Sequence, residues 1–215
     1  MHEIVDKFEL LKSLEKAVKD PEHILTKDII NPITNTRQRE ALTLFITSEV
    51  LNESFKKNGI KAVLEVCKNN SSEDRLDGFL RITEEDGFLY ELEFEQILLT
   101  TEEIKNTSEE TDISELIIDK IKQKHNKHYD NPKGITLVIF LDIKGKTIPE
   151  KIKRYLRDNN EFKFYILIVL GKETERDGSY FYKVIDLNPL REGNHSRFVL
   201  EIKNSFDNYS VRLEE

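Results

Sequence analysis

Residues 77–96 read DGFLRITEEDGFLYELEFEQ, two extended segments joined by a tight turn. Asp77-Gly78 opens the first, which carries Phe79, Leu80 and Ile82. Glu84-Glu85-Asp86-Gly87 makes the turn, Asp-Gly being a strong short-range hairpin signal. The second segment alternates strictly. Tyr90, Leu92 and Phe94 point one way, and Glu91, Glu93 and Glu95 the other. Carboxylates side by side on one strand face repel each other, so a strand serving stability alone does not favour them. With Asp77 at the start of the partner strand they form a cluster suited to a divalent metal, because hard cations such as Mg²⁺ take carboxylates, waters and substrate phosphates. Composition offers a plainer origin, since a chain with 41 Asp and Glu can place Glu on a wet strand face by chance.

Upstream, residues 3–19 are expected as an amphipathic helix with Ile4, Phe8, Leu10, Leu11, Leu14 and Val18 as its stripe, stopped by Pro21. The Asn-, Pro- and Thr-rich segment 28–36 reads as a loop. A second helix runs from Arg37 to about Lys57, with apolar positions spread too widely for one covered face and Gly59 as its left-handed end. Ile60–Cys67 is the strand preceding the hairpin.

Downstream, residues 100–112 are polar and loop-like. A helix follows over 113–129, with Ile113, Leu116, Ile117 and Ile121 apolar and Lys120, Lys122, Lys124 and Lys127 crowding its later half. ITLVIFLDI (135–143) and FKFYILIVL (162–170) are near-continuous apolar, β-branched runs, the pattern of strands covered on both faces. Pro149–Asp158 is a short basic helix between them. Strands are expected at 180–187, 197–202 and 209–213.

A chain of 215 residues with 34% charged residues fits one domain. Its organisation reads as an N-terminal helix and loop (1–36), a core (37–187) and C-terminal strands (188–215). No apolar run approaches a membrane span of roughly 20 residues, and the N-terminus has no secretory core, so neither a membrane nor export is expected. The single cysteine, Cys67, rules out an internal disulfide, excludes Cys-type zinc sites, and fits a reducing cytoplasm. His125 and His128 are the closest histidines, and a solvated pair on a lysine-rich helix is their simplest reading. The net charge of −8 opposes broad nucleic-acid affinity unless a local basic patch exists. The two sources for one are the lysines of 113–129 and Lys151, Lys153, Arg154 and Arg157. A solvated face, with cations favoured by helix C-termini, accounts for both sets equally well.

The element order is helix, three strands, helix, strand, helix, then further strands. With an Asp opening the second strand and an acid-x-acid pair on the third, it resembles the PD-(D/E)XK nuclease superfamily. The resemblance spans residues 37–187 and implies an α/β fold with a restriction-endonuclease-like core, a mixed central sheet flanked by helices. It implies catalytic roles for Asp77, Glu93 and Glu95, the pair being Glu93-Phe94-Glu95 or, one step earlier, Glu91-Leu92-Glu93. It also implies Mg²⁺ (or Mn²⁺) held by Asp77 and Glu93, with Glu40 on the second helix as a further ligand and Glu91 as an alternative acid. The family's usual lysine is absent, with Glu in its place. Lys61, or Lys120, Lys124 or Lys127, would then supply the positive charge and touch phosphate. The activity implied is a Mg²⁺-dependent endonuclease, a hydrolase cutting phosphodiester bonds in DNA, in restriction, repair or defence. The alternatives are an inactive relative used as a binding or assembly module, and an acidic protein that mimics nucleic acid. The first helix could serve homodimer formation as readily as packing.

Overall fold

The computed structural model of the chain describes residues 2–4, 6, 9–12, 15, 36–69, 77–100, 110–142, 145–170, 179–189, 197–203 and 207–214. At its centre is helix α1 (Thr36–Lys57), buried without interruption from Ala41 to Val50. The wide spread of apolar positions in its sequence has this consequence: every side of the helix meets protein. Its hydroxyls are satisfied within the helix, Thr47 Oγ1 donating to the Thr43 carbonyl and Ser48 Oγ to that of Phe45, each at 2.8 Å. Glu49 accepts the Tyr209 hydroxyl at 2.9 Å.

The helix ends in a Schellman motif. Gly59, at φ 71°, donates its N–H to the Lys56 carbonyl, and Ile60 donates to that of Phe55. Ile60 is spent on the helix end. The next strand therefore begins at Ala62, two residues later than its sequence suggests.

Nine strands form one sheet in sequence order among the described residues. They are β1 (His2–Ile4), β2 (Ala62–Asn69), β3 (Gly78–Glu84), β4 (Leu89–Thr100), β5 (Ile135–Asp142), β6 (Phe164–Leu170), β7 (Tyr180–Asp186), β8 (Arg197–Ile202) and β9 (Tyr209–Glu214). The pairings β1 to β4 are antiparallel, β4–β5–β6 parallel, and β6 to β9 antiparallel again. The two parallel steps are crossovers through α2 (Ser114–His125) and α3 (Pro149–Asp158), as parallel neighbours require. The fold is thus mixed α/β.

β1 corrects the start of the expected helix over 3–19. His2–Ile4 pair with Cys67–Asn69 at the sheet edge, and the described helical residues of that stretch are 9–12 and 15. Residues 28–35 of the expected loop, and 101–109 of the polar segment, lie outside the described residues, while Thr36 opens α1.

α1 touches β2 and β3 at one end of the sheet and β7, β8 and β9 at the other. One straight helix reaches both ends only because the sheet curls around it. The concave core is built from Leu42, Phe45, Ile46, Leu80, Phe94, Phe140 and Leu200. α2 and α3 cover the opposite face over Ile97, Leu99, Leu137, Ile139 and Leu167. β5 is buried from Ile135 to Leu141, as its run of branched apolar residues requires. At the β3–β4 turn Gly87 takes φ 84°, closing Glu85-Asp86-Gly87 as a three-residue loop with Phe88 N–H on Asp86 Oδ1.

Candidate active site

The pairing of β3 with β4 stops at Gly78 opposite Phe94. One step further, Asp77 stands across from Glu95. Beyond it β4 has only β5 as a described partner. Asp77 occupies this fork. Its N–H donates to the Phe94 carbonyl at 3.1 Å, and its Oδ2 accepts the Gln96 N–H at 2.7 Å. A side chain thereby takes over a ladder bond that the departing strand no longer makes.

A cavity of about 400 Å³ opens at the fork. It is lined by Glu40 from α1, Asp77, Gln96, Ile97 and Leu98 from the sheet, and Lys120, Gln123, Lys124 and Lys127 from and after α2. Gln96 ties the sheet to α1, its Nε2 donating to the Glu40 carbonyl at 3.3 Å.

Behind the lysines Glu95 is 1% exposed. Its Oε1 accepts hydrogen bonds from Lys124 and, at 3.2 Å, from Lys127. Its Oε2 is buried and meets no partner at hydrogen-bonding geometry, nor does the buried Tyr129 hydroxyl beside it. Burial, then the Glu95 charge, push the phenol up from its ordinary value. Burial and then Glu95 also push the Asp77 carboxyl up to about 6, against the pull of Lys124 and the Gln96 N–H, and Glu40 adds a smaller push. Burial is thus the main reason this carboxyl keeps its proton, and the nearby acids add to it.

Of the acids expected together, the structure brings Asp77, Glu95 and Glu40 to one region. Glu95 and Glu93, on the same face of β4, both lie outside the cavity lining, and Glu93 Oε2 turns toward Gly134, 3.8 Å from where a β-carbon there would stand. Glu91 is exposed and accepts hydrogen bonds from Arg81 at 3.2 Å. Lys61 is paired with the exposed Glu85 near the hairpin turn, away from the fork. Lys120, Lys124 and Lys127 do meet the cavity. His125 and His128 form no shared site: the His125 ring packs among Tyr155, Phe162 and Tyr165 and contacts the Tyr165 hydroxyl, and His128 is exposed.

Gln96, Gln123 and Tyr129 belong to the site without a signal in the alternation of β4. Gln96 falls on the opposite face from the acids, and only the strand fork brings it to them. Tyr129 follows the lysine-rich helix, and its position after that helix was the one available hint.

Among the described residues no three Asp, Glu, His or Cys side chains already converge as a metal cage. What the residues offer is oxygen chemistry: the Asp77 carboxyl and Glu40 on the cavity wall, with Glu95 Oε2 buried behind them beside Tyr129. That set fits a hard cation held by one or two carboxylates with water completing its shell. No helix among the described residues is long and apolar enough to cross a membrane. Comparison of the chain with protein-family models, characterised proteins and solved structures gives no match.

Proposed function

We propose that this chain is a metal-dependent nuclease of the PD-(D/E)XK type, hydrolysing phosphodiester bonds in DNA at the β3–β4 fork. The observation that carries the reading is the pairing of Asp77 with Glu95 across the fork, with a helix carboxylate on one side and helix lysines on the other. The order α1-β2-β3-β4-α2-β5, with an antiparallel meander leading into a parallel crossover, supports the restriction-endonuclease-like core. Asp77 and Glu95 would hold Mg²⁺ or Mn²⁺, with Glu40 within reach through water. When bound, such an ion polarises a phosphate and lowers the pKa of a coordinated water.

The chain's own residues supply the rest. Lys124 and Lys127 stand in for the lysine missing from β4, coming from α2 and the residues just after it. They fix Glu95 and present two ammonium groups to a phosphate entering the cavity, with Lys120 beside them. Asp77, pushed up to about 6, holds a proton in mild acid and sheds it toward neutral pH, so cation binding strengthens as pH rises through that value. Glu95, held through Oε1 by Lys124 and Lys127, would offer its other oxygen, Oε2, to the cation.

The test is cleavage of supercoiled, linear and single-stranded DNA with Mn²⁺. Cutting that Asp77→Asn abolishes supports the reading. Wild-type protein that cuts none of these while binding the metal would leave the second reading, a non-catalytic module on the same scaffold. The lysine contacts already made by Glu95 favour that alternative. A nucleic-acid mimic would need an exposed Glu ladder, whereas Glu95 is buried and Glu91 is paired with Arg81.

A further inference from the structure

A second cavity of about 400 Å³ lies between the C-terminal half of α1 and the concave face of the sheet. It shares no lining residue with the fork. Along α1, Ser54 on its wall is about 21 Å from Glu40 at the rise of an α-helix. We propose that this cavity binds a small aromatic acid, a planar apolar body carrying one anionic group.

Three observations identify that chemistry. First, four rings line the space, those of Phe55, Tyr90, Phe164 and Phe198, among aliphatic neighbours such as Leu92 and Val184. Ring edges and faces arranged around one volume favour an aromatic guest over a flexible chain. Size and a mostly apolar wall are those of small-molecule sites.

Second, Thr136 lines the cavity, is 2% exposed, and its Oγ1 is buried without a hydrogen-bond partner. Position 136 lies on the concave face of β5, in line with the core residues Val138 and Phe140. A buried hydroxyl left unmatched costs free energy, and buried polar groups are normally matched. An acceptor on a guest would satisfy it once the hydroxyl turns from the wall into the cavity.

Third, the lining carries one cation and one carboxylate. Lys163 is exposed, with its Nζ 5.6 Å from the centre of the Phe164 ring, and forms no ion pair with a described residue. The one carboxylate on the lining, Asp186, accepts the Asn188 N–H at 2.8 Å. Lys163 is thus the one cation on the lining that an incoming anion can meet.

Fluorescence titration of the full chain with 1-anilinonaphthalene-8-sulfonate, followed by displacement with 1-naphthoate, tests the proposal. The expected result is one saturable site per chain. Naphthoate should displace the dye, and the neutral 1-naphthylmethanol should do so about tenfold less well. Thr136→Val, which keeps the shape, and Lys163→Met should each weaken naphthoate binding by roughly three- to tenfold, the range for loss of one hydrogen bond or charge contact. Ser54→Trp, which fills the space from α1, should abolish it. The proposal is overturned by non-saturating dye uptake, by unchanged affinity in a folded Ser54→Trp protein, or by decanoate binding more tightly than naphthoate. If Ser54→Trp does not fold, unchanged affinity in both Thr136→Val and Lys163→Met overturns it equally.

Discussion

Glu91 and Glu95 lie four residues apart on one strand and one face, and they live in different chemical worlds. Glu91 is solvent-exposed and meets Arg81 from β3, its direct cross-strand partner. Glu95 is buried under the end of α2, gripped by two lysines through one oxygen and facing Tyr129 with the other. Alternation fixes which face an acid occupies. It does not fix what covers that face. Lys124 of the crossover helix and Lys127 just after it cover Glu95, and that cover separates it from the exposed Glu91.

The contrast gives its largest effect in chemistry. Glu95→Gln should lower DNA cleavage by about a thousandfold, of the order seen when a group acting directly on the transition state is removed. Glu91→Gln should leave cleavage unchanged. Plasmid-cleavage rates check both, and equal losses would dissolve the distinction.

In stability, Glu95→Ala leaves the largely buried Lys124 without its partner and should destabilise the fold by about 3 kcal/mol. Glu91→Ala removes an exposed pair and should cost no more than about 0.5 kcal/mol. Urea denaturation at pH 7.5 measures both.

Asp77 extends the comparison to pH. Its folded value of about 6 stands above its ordinary value of 3.8, so the folded chain binds that proton more tightly than the unfolded one. The stabilisation from this group is fully present below about 4 and is lost as pH rises to about 6, amounting to about 2–3 kcal/mol. Asp77→Asn keeps an oxygen for the Gln96 N–H and abolishes the titration. It should therefore gain stability relative to the parent chain between pH 4.5 and 7, by thermal melts across that range. A parallel pH dependence in both proteins would contradict the burial of this group. The smallest effect is at Arg81. Arg81→Ala should change stability by about 0.5 kcal/mol, and most of that difference should vanish in 1 M salt.

How much of this was legible follows the same division. The hairpin, the two apolar strands and α3 follow from local patterns, because alternation, branched runs and a proline at a helix start are local physics. β1 was not legible. Three residues at a sheet edge are set by pairing with residues 67–69, and no local periodicity announces them. The site was half legible. Asp77 and Glu95 stand out as acids at a strand start and on an alternating face, and the lysines of 113–129 as a dense run. Which acid pairs with Asp77 depends on where β3 leaves β4, a matter of register that favours Glu95 over Glu93. Gln96 and Tyr129 reach the site only through the fork and the end of α2.

The central claim is that Asp77 and Glu95 share one cation. Calorimetric titration of Mn²⁺ into the full chain at pH 7.5 tests it most directly. The expected result is one site per chain, lost in Asp77→Asn and in Glu95→Gln and retained in Glu91→Gln. Absence of binding in the parent chain, or binding that survives Asp77→Asn unchanged, would contradict it.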